Sequence, residues 1–310
     1  MHRTATLIAF SGILLTGQEK PSAHAVQLAL EGRCSEAMPL LKQALATDLD
    51  RESKRLSGKA GVRCSMIMNQ QGDATSFLAR LQQEFPTDPD ILFLAVHVYS
   101  DLSQINSRAL MKSAPDSQEV IQLNAESFEK QGDLAKAIAE YRVLIQRAPT
   151  MPGIHYRIGG LIMSGPASRT SAEDARKEFE EELKVYPQNA AAEYYLGVLA
   201  QQADKGPEAI EHFARSAKLY PDFAEAHLGL GRALLDSGKT SEALIPLETA
   251  AKLAPENPNV HFALATAYQR LGRKAEASRE LALQKSTSEK INQNTKTLRK
   301  NVSGAETGRP

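Results

Sequence analysis

Apolar and small residues recur along this chain at steps of three and four. Ile121, Ala125 and Phe128 form one such run, and Ala137, Tyr141 and Leu144 form the next. Steps of three and four place side chains on one face of a helix. Gly132-Asp133 parts the two runs, so the local element is a helix, a turn and a second helix. The unit then repeats. Ala125, Gly159, Gly197, Gly231 and Ala265 are small residues spaced 34, 38, 34 and 34 apart. Ala137, Ala175, Ala209, Ala243 and Ala277 follow in step, and Pro149, Pro187, Pro221 and Pro255 close four of the units. A period near 34 with small residues at two fixed places means stacked helical hairpins, each packed on its neighbours.

The turn of each hairpin needs a residue at ease in left-handed backbone. Gly132, Gly238 and Gly272 fill that place in three units, and Asp204 fills it in a fourth. The unit 152–189 is four residues longer than the others. Its extra residues fall around Ser164-Gly165-Pro166-Ala167-Ser168, which reads as a surface loop. Ser171 with Asp174, or Thr170 with Glu173, predicts a capping box for the helix that follows. Upstream, residues 18–51 and 58–91 carry the pattern more loosely, and 92–117 read as a shortened unit. Terminal repeats of a stack are expected to be atypical. Eight units result. After Leu283 the chain turns polar; Ile291 and Leu298 predict a solvating helix, and 302–310 read as disordered.

These residues resemble the tetratricopeptide repeat family. Leu196-Gly197, Ala209, Phe213 and Pro221 carry the likeness in one unit. Leu230-Gly231, Gly238, Ala243, Leu247, Ala250 and Pro255 carry it in the next. The family's usual Trp on the first helix is missing, and the chain has no Trp at all. The resemblance implies an all-α, right-handed α-solenoid of tandem helix–turn–helix repeats. The expected organisation is an export signal (1–25), degenerate repeats (26–117), five well-matched units (118–291) and a polar cap and tail (292–310).

Arg3 followed by the apolar stretch Ala5–Gly17 and then Ala23-His24-Ala25 has the order of a secretory signal cut after Ala25. The apolar run is shorter than the roughly 20 residues a spanning helix needs, which favours a cleaved signal over an anchor. The expected location is periplasmic or secreted. In an oxidising compartment Cys34 and Cys64 either pair as a disulfide or pack as two separate thiols. They fall at the start of a second helix and on the next first helix, which are neighbours in such a stack.

Lys plus Arg and Asp plus Glu number 37 each, so the formal charge is zero. That balance gives no case for nucleic acid, which needs a basic face, or for an anionic membrane surface. No catalytic grouping of nucleophile, acid or base stands out, and no cofactor motif is found. His155, His227 and His261 recur in register, but units about 10 Å apart cannot bring three rings to one metal ion. Glu178, Glu180, Glu181 and Glu182 read as a solvated helix face with ion pairs. Asn301-Val302-Ser303 matches a glycosylation sequon, a chance match in a tail of this kind.

In the family, first helices line a concave groove that holds a peptide or a partner helix. Counting in register, the groove stripe takes in Gln122, Glu126 and Glu129, then Tyr156, then Tyr194, Leu228, Arg232 and Phe262. Arg157, Tyr195 and Arg270 flank it. The expected binding row is Tyr156, Tyr194, Leu228 and Phe262, with Arg232 and Arg270 reading an acid on the ligand. Some members of the family clamp a C-terminal carboxylate with a Lys and Asn pair; the matching places here hold Gln122 and Glu126, Tyr156 and Gly160, and Tyr194 and Val198, so that mode is not expected. The function that follows is a non-enzymatic exported scaffold for a protein or peptide partner. The alternatives are an accessory module of an enzyme complex and a self-assembling structural protein.

Overall fold

The computed structural model describes residues 21–47, 50–166 and 169–307. Among these residues there are fifteen α-helices and no strand. The chain forms two compact units, Met1–Pro115 and Asp116–Pro310. The apolar run Ala5–Gly17 and the loop residues Ala167-Ser168 lie outside the described residues.

The first unit holds α1 (Pro21–Leu30), α2 (Cys34–Thr47), α3 (Arg51–Ile67), α4 (Gln71–Glu84) and α5 (Pro89–Ser113). The pairs α1–α2 and α3–α4 are hairpins, and α2 packs on α3. Gly61 and Gly58 of α3 stand where an added Cβ would strike Phe77 and Leu81 of α4. Leu41, Leu78, Leu81 and Ile91 are fully buried in the core between the helices. Cys34 and Cys64, both buried, are joined in a disulfide with Cα atoms 5.1 Å apart. Residues 92–117 are not a shortened hairpin. Asp88 accepts hydrogen bonds from the Asp90 and Ile91 amides, Pro89 opens the helix, and α5 then runs unbroken for 25 residues. No Gly or Pro interrupts it before Pro115, so nothing in the sequence forces a turn.

The second unit contains five successive hairpins: α6 (Gln118–Gln131) with α7 (Leu134–Arg147), α8 (Ile154–Ser164) with α9 (Arg169–Val185), α10 (Ala190–Gln202) with α11 (Gly206–Leu219), α12 (Ala224–Asp236) with α13 (Thr240–Leu253), and α14 (Pro258–Arg270) with α15 (Lys274–Thr307). Each second helix packs on the next first helix. The spacing rule has a direct physical cause. Small residues of first helices face bulky residues of their own second helices: Gly159 faces Phe179, Gly197 faces Phe213 and Gly231 faces Leu247, while Ala125 and Tyr141, 16 positions apart, share one core. A Cβ on Gly197 would come within 2.8 Å of the Phe213 ring, and one on Gly229 of the next hairpin within 2.7 Å of the same ring. Phe213 is therefore held between two helices that only glycine lets approach so closely.

Pro149, Pro187, Pro221 and Pro255 each stand two residues beyond the end of α7, α9, α11 or α13, where no helical amide is needed. Asp204 adopts φ 57° at the turn where Gly238 has φ 75°, as the register requires. Three expectations need correction. α9 has begun by Arg169, so Thr170 and Ser171 lie inside its first turn and not at its cap. α15 continues through Thr307, so 302–307 are helical and not disordered. Glu182 is fully buried, not solvated.

Candidate partner-binding groove

The groove stripe lies on the first helices α6, α8, α10, α12 and α14, and the structure divides it in two. Tyr156, Arg157 and Tyr195 line a hollow of about 520 Å³ with Glu129, Gly153, Gly160, Leu161 and Ser164. Arg232, Phe262 and Arg270 line a second hollow of about 420 Å³ with Gln201, Leu235, Asp236, Ala263 and Thr266.

The first hollow is floored by aromatic rings. Phe179 of α9 stacks on Tyr195 at 5.3 Å and 6°, and Tyr156 lies 5.9 and 6.0 Å from Phe179 and Tyr195. Tyr194 continues the ladder, 5.3 Å from Tyr195, 5.7 Å from Phe213 and 5.1 Å from Phe223. Burial raises the Tyr156 and Tyr194 hydroxyls above their ordinary 10.0, which keeps both protonated at neutral pH. Arg157 Nη1 donates to Glu129 Oε2 at 3.3 Å, and its Nη2 lies 3.8 Å from Glu126. Glu129 also accepts from the Tyr141 hydroxyl at 3.0 Å. Tyr141 is fully buried, and its hydroxyl is pushed up to about 12. The charges at this end are thus largely met within the protein.

The second hollow is different. Phe262 is 52% exposed, and its ring stands free at the mouth. Arg232 is exposed and has no hydrogen-bond or ion-pair partner among the described residues. Gln201 Nε2 donates to Asp236 Oδ2 at 3.3 Å across the opening. Arg270 donates to the Leu235 carbonyl, one of the last of α12, and so is already engaged.

Two of the expected row therefore do not face a ligand as a row requires. Leu228 is buried against Val260, Leu264 and Leu247 and belongs to the core. Tyr194 is half-buried between two rings of neighbouring helices and lines neither hollow. The register count places all five first helices alike, but at α12 the short Leu228 is buried against the next hairpin while the longer Arg232, one turn on, reaches solvent.

The histidines in register are engaged separately. His155 Nδ1 lies 2.7 Å from Glu178, His227 Nε2 donates to the Pro221 carbonyl at 2.8 Å, and His261 faces Glu280 and the Pro255 carbonyl. Sequence reasoning missed Glu182. Its carboxylate accepts from the Gly153 amide at 2.8 and 3.0 Å and from the Tyr156 amide at 3.2 Å, which caps α8 and holds Tyr156 at the rim of the first hollow. The signal lay in the register, where the matching places of later units hold Ser216 and Ala250, both buried.

Repeated hairpins, several with a small-to-large lock, define an α-helical repeat protein. Residues 169–222, 199–258 and 228–284 match the family described as tetratricopeptide repeat, and residues 125–150 match a further description of the same repeat. Residues 125–150 and 169–284 are tetratricopeptide repeats. No curated protein matches the sequence. Solved structures of similar fold include a MamA RS-1 double mutant (16% identity, TM-score 0.51, 57% of this chain and 97% of that one). A MamA protein aligns at 20% identity and TM-score 0.50 over 57% of this chain and 94% of that one. MamA from Desulfovibrio magneticus RS-1 aligns at 16% and 0.50 over 56% and 97%. At these identities the likeness is one of fold.

Proposed function

We propose that this protein is an exported, non-enzymatic scaffold that holds a short apolar and acidic segment of a protein partner in the hollow formed by α10, α12 and α14. The observation that carries this reading is the pairing of an exposed ring, Phe262, with an unmatched cation, Arg232, in one opening. An apolar side chain set on Phe262 removes both surfaces from water. A carboxylate beside it gives Arg232 the bidentate partner that the protein itself withholds. Tyr156 and Tyr195 extend the surface along the first helices, and Tyr and Arg carry much of the energy at interfaces.

Export is supported by the order of Arg3, the apolar run Ala5–Gly17 and Ala23-His24-Ala25, and by the Cys34–Cys64 bond, which suits an oxidising compartment. Ala23–Ala25 lies within α1 and Ala25 is buried, so a cut there has to precede folding of that helix. No described helix is long and apolar enough to cross a membrane.

The test is fluorescence anisotropy of labelled ten-residue peptides against the full chain. Peptides that place Glu or Asp next to Leu or Phe bind, and matched peptides with Lys in place of the acid do not. Arg232→Glu weakens binding about tenfold or more, in line with removal of a close charge pair, and Phe262→Ala weakens every apolar peptide. Equal binding by the two folded variants and the natural chain would overturn the assignment.

A further inference from the structure

We propose that the hollow beside Gly160 is a second anchor site, which takes an uncharged aromatic side chain of the same partner segment; this rests on the binding of that segment at Arg232 and Phe262. Gly160 stands in the middle of α8. Glycine inside a helix is less favourable than alanine, because it has more backbone freedom to lose. At Gly58, Gly61, Gly159, Gly197, Gly229 and Gly231 packing explains the choice, since a Cβ on any of them would come under 3.0 Å from a ring or a leucine. Gly160 has no such reason. A Cβ there would meet nothing within 4 Å. Nor does the repeat ask for glycine at this place, where the other first helices carry Glu126, Val198, Arg232 and Thr266. What the missing side chain leaves is space, in the hollow of about 520 Å³ that Tyr156 and Tyr195 also line.

The surroundings select the occupant. Tyr156 and Tyr195 both lie against the buried ring of Phe179, and Glu182 holds the Tyr156 amide. The two rings are thus in place before anything binds. Aromatic rings pair offset or edge to face, and a third ring entering beside these two does so over the bare backbone of Gly160. The charged groups at the rim are Glu126, Glu129 and Arg157. Both carboxylates are held by the guanidinium, and they also accept from the Gln122 amide and the Tyr141 hydroxyl. A charged guest would leave water without a free partner here, in contrast to the hollow at Arg232. Helix α10 joins the two sites, with Tyr195 lining the first hollow and Gln201 the second. Gly160 and Arg232 are two units apart in register, or about 20 Å at about 10 Å per unit. An extended chain covers about 3.3 Å per residue, so about six residues separate the aromatic anchor from the acid.

Fluorescence anisotropy with the full chain and labelled peptides of about fifteen residues tests the site. Each peptide carries Leu-Glu at its centre. One has Phe about six residues before that pair, one has Phe about six residues after it, and one has Ala at both places. The expected result is that one Phe peptide binds about tenfold or more tightly than the Ala peptide. Gly160→Leu, which fills open space with a good helix former, removes that gain and leaves the Ala peptide bound as before. Gly160→Ala keeps most of the gain and raises the thermal midpoint, as befits a glycine with no packing role. Circular dichroism checks that both variants keep their helix content. With the Ala peptide bound, no gain from Phe at either place overturns the proposal, and so does a gain that Gly160→Leu leaves intact. If the Ala peptide itself fails to bind, or binds Arg232→Glu equally well, the reading of the Arg232 hollow falls, and this site falls with it.

Discussion

Glycine does the work of closeness in this molecule, and one ring shows it. Phe213 sits against Gly197 and Gly229, with no room for a Cβ at either place. Phe213→Ala leaves a cavity between α10, α11 and α12 and is expected to cost about 3–5 kcal/mol. Gly197→Val destabilises as well, because the ring has nowhere to move between two backbones. Urea unfolding of each variant beside the natural chain measures both. These positions were legible from sequence because the spacing of small and large residues is set by packing itself. Leu228 and Glu182 were not legible. A repeat count gives a residue's place in its unit but not how closely the next hairpin packs on it, so a core leucine was read as a groove residue. The charge run pointed Glu182 to solvent, and only its register with Ser216 and Ala250 pointed it inward, toward the amides that it accepts from.

Helix boundaries divide in the same way. Where a terminator is written into the chain, as with Pro149, Pro187, Pro221 and Pro255, the elements end where the sequence says. Where no terminator exists, helices continue: α5 passes through the place of a turn, and α15 passes through a polar stretch to Thr307. Polarity alone does not stop a helix of good helix formers. Between elements, the Cys34–Cys64 bond ties the first residue of α2 to α3 across a separation of 30 residues. A loop of that size in the unfolded chain corresponds to about 3–4 kcal/mol of stabilisation. The double variant Cys34→Ser/Cys64→Ser is expected to lose a stability of that order in denaturant, and the natural chain with reductant is expected to follow it. An unchanged midpoint would show that α2 and α3 hold together by apolar contact alone.

Taken unit by unit, the molecule divides into Met1–Pro115 and Asp116–Pro310, and the second unit carries the first-helix hollows. A stack of repeats is held by neighbour contacts, so it can open from an end one hairpin at a time. Glu182 changes that. Its carboxylate reaches from α9 to the start of α8, and it also accepts from the Asn189 side chain at 3.0 Å, while Asn189 caps α10. One buried charge thus joins the beginnings of two successive first helices through the second helix between them. Fraying of α10 strips a partner from a carboxylate that is fully buried, and the cost falls on α8 at once. In hydrogen exchange, the amides of α8, α9 and α10 are expected to open together at a single free energy, and Glu182→Gln is expected to let them open in sequence. The zipper has a rivet in it, and the middle of the array breathes as a block.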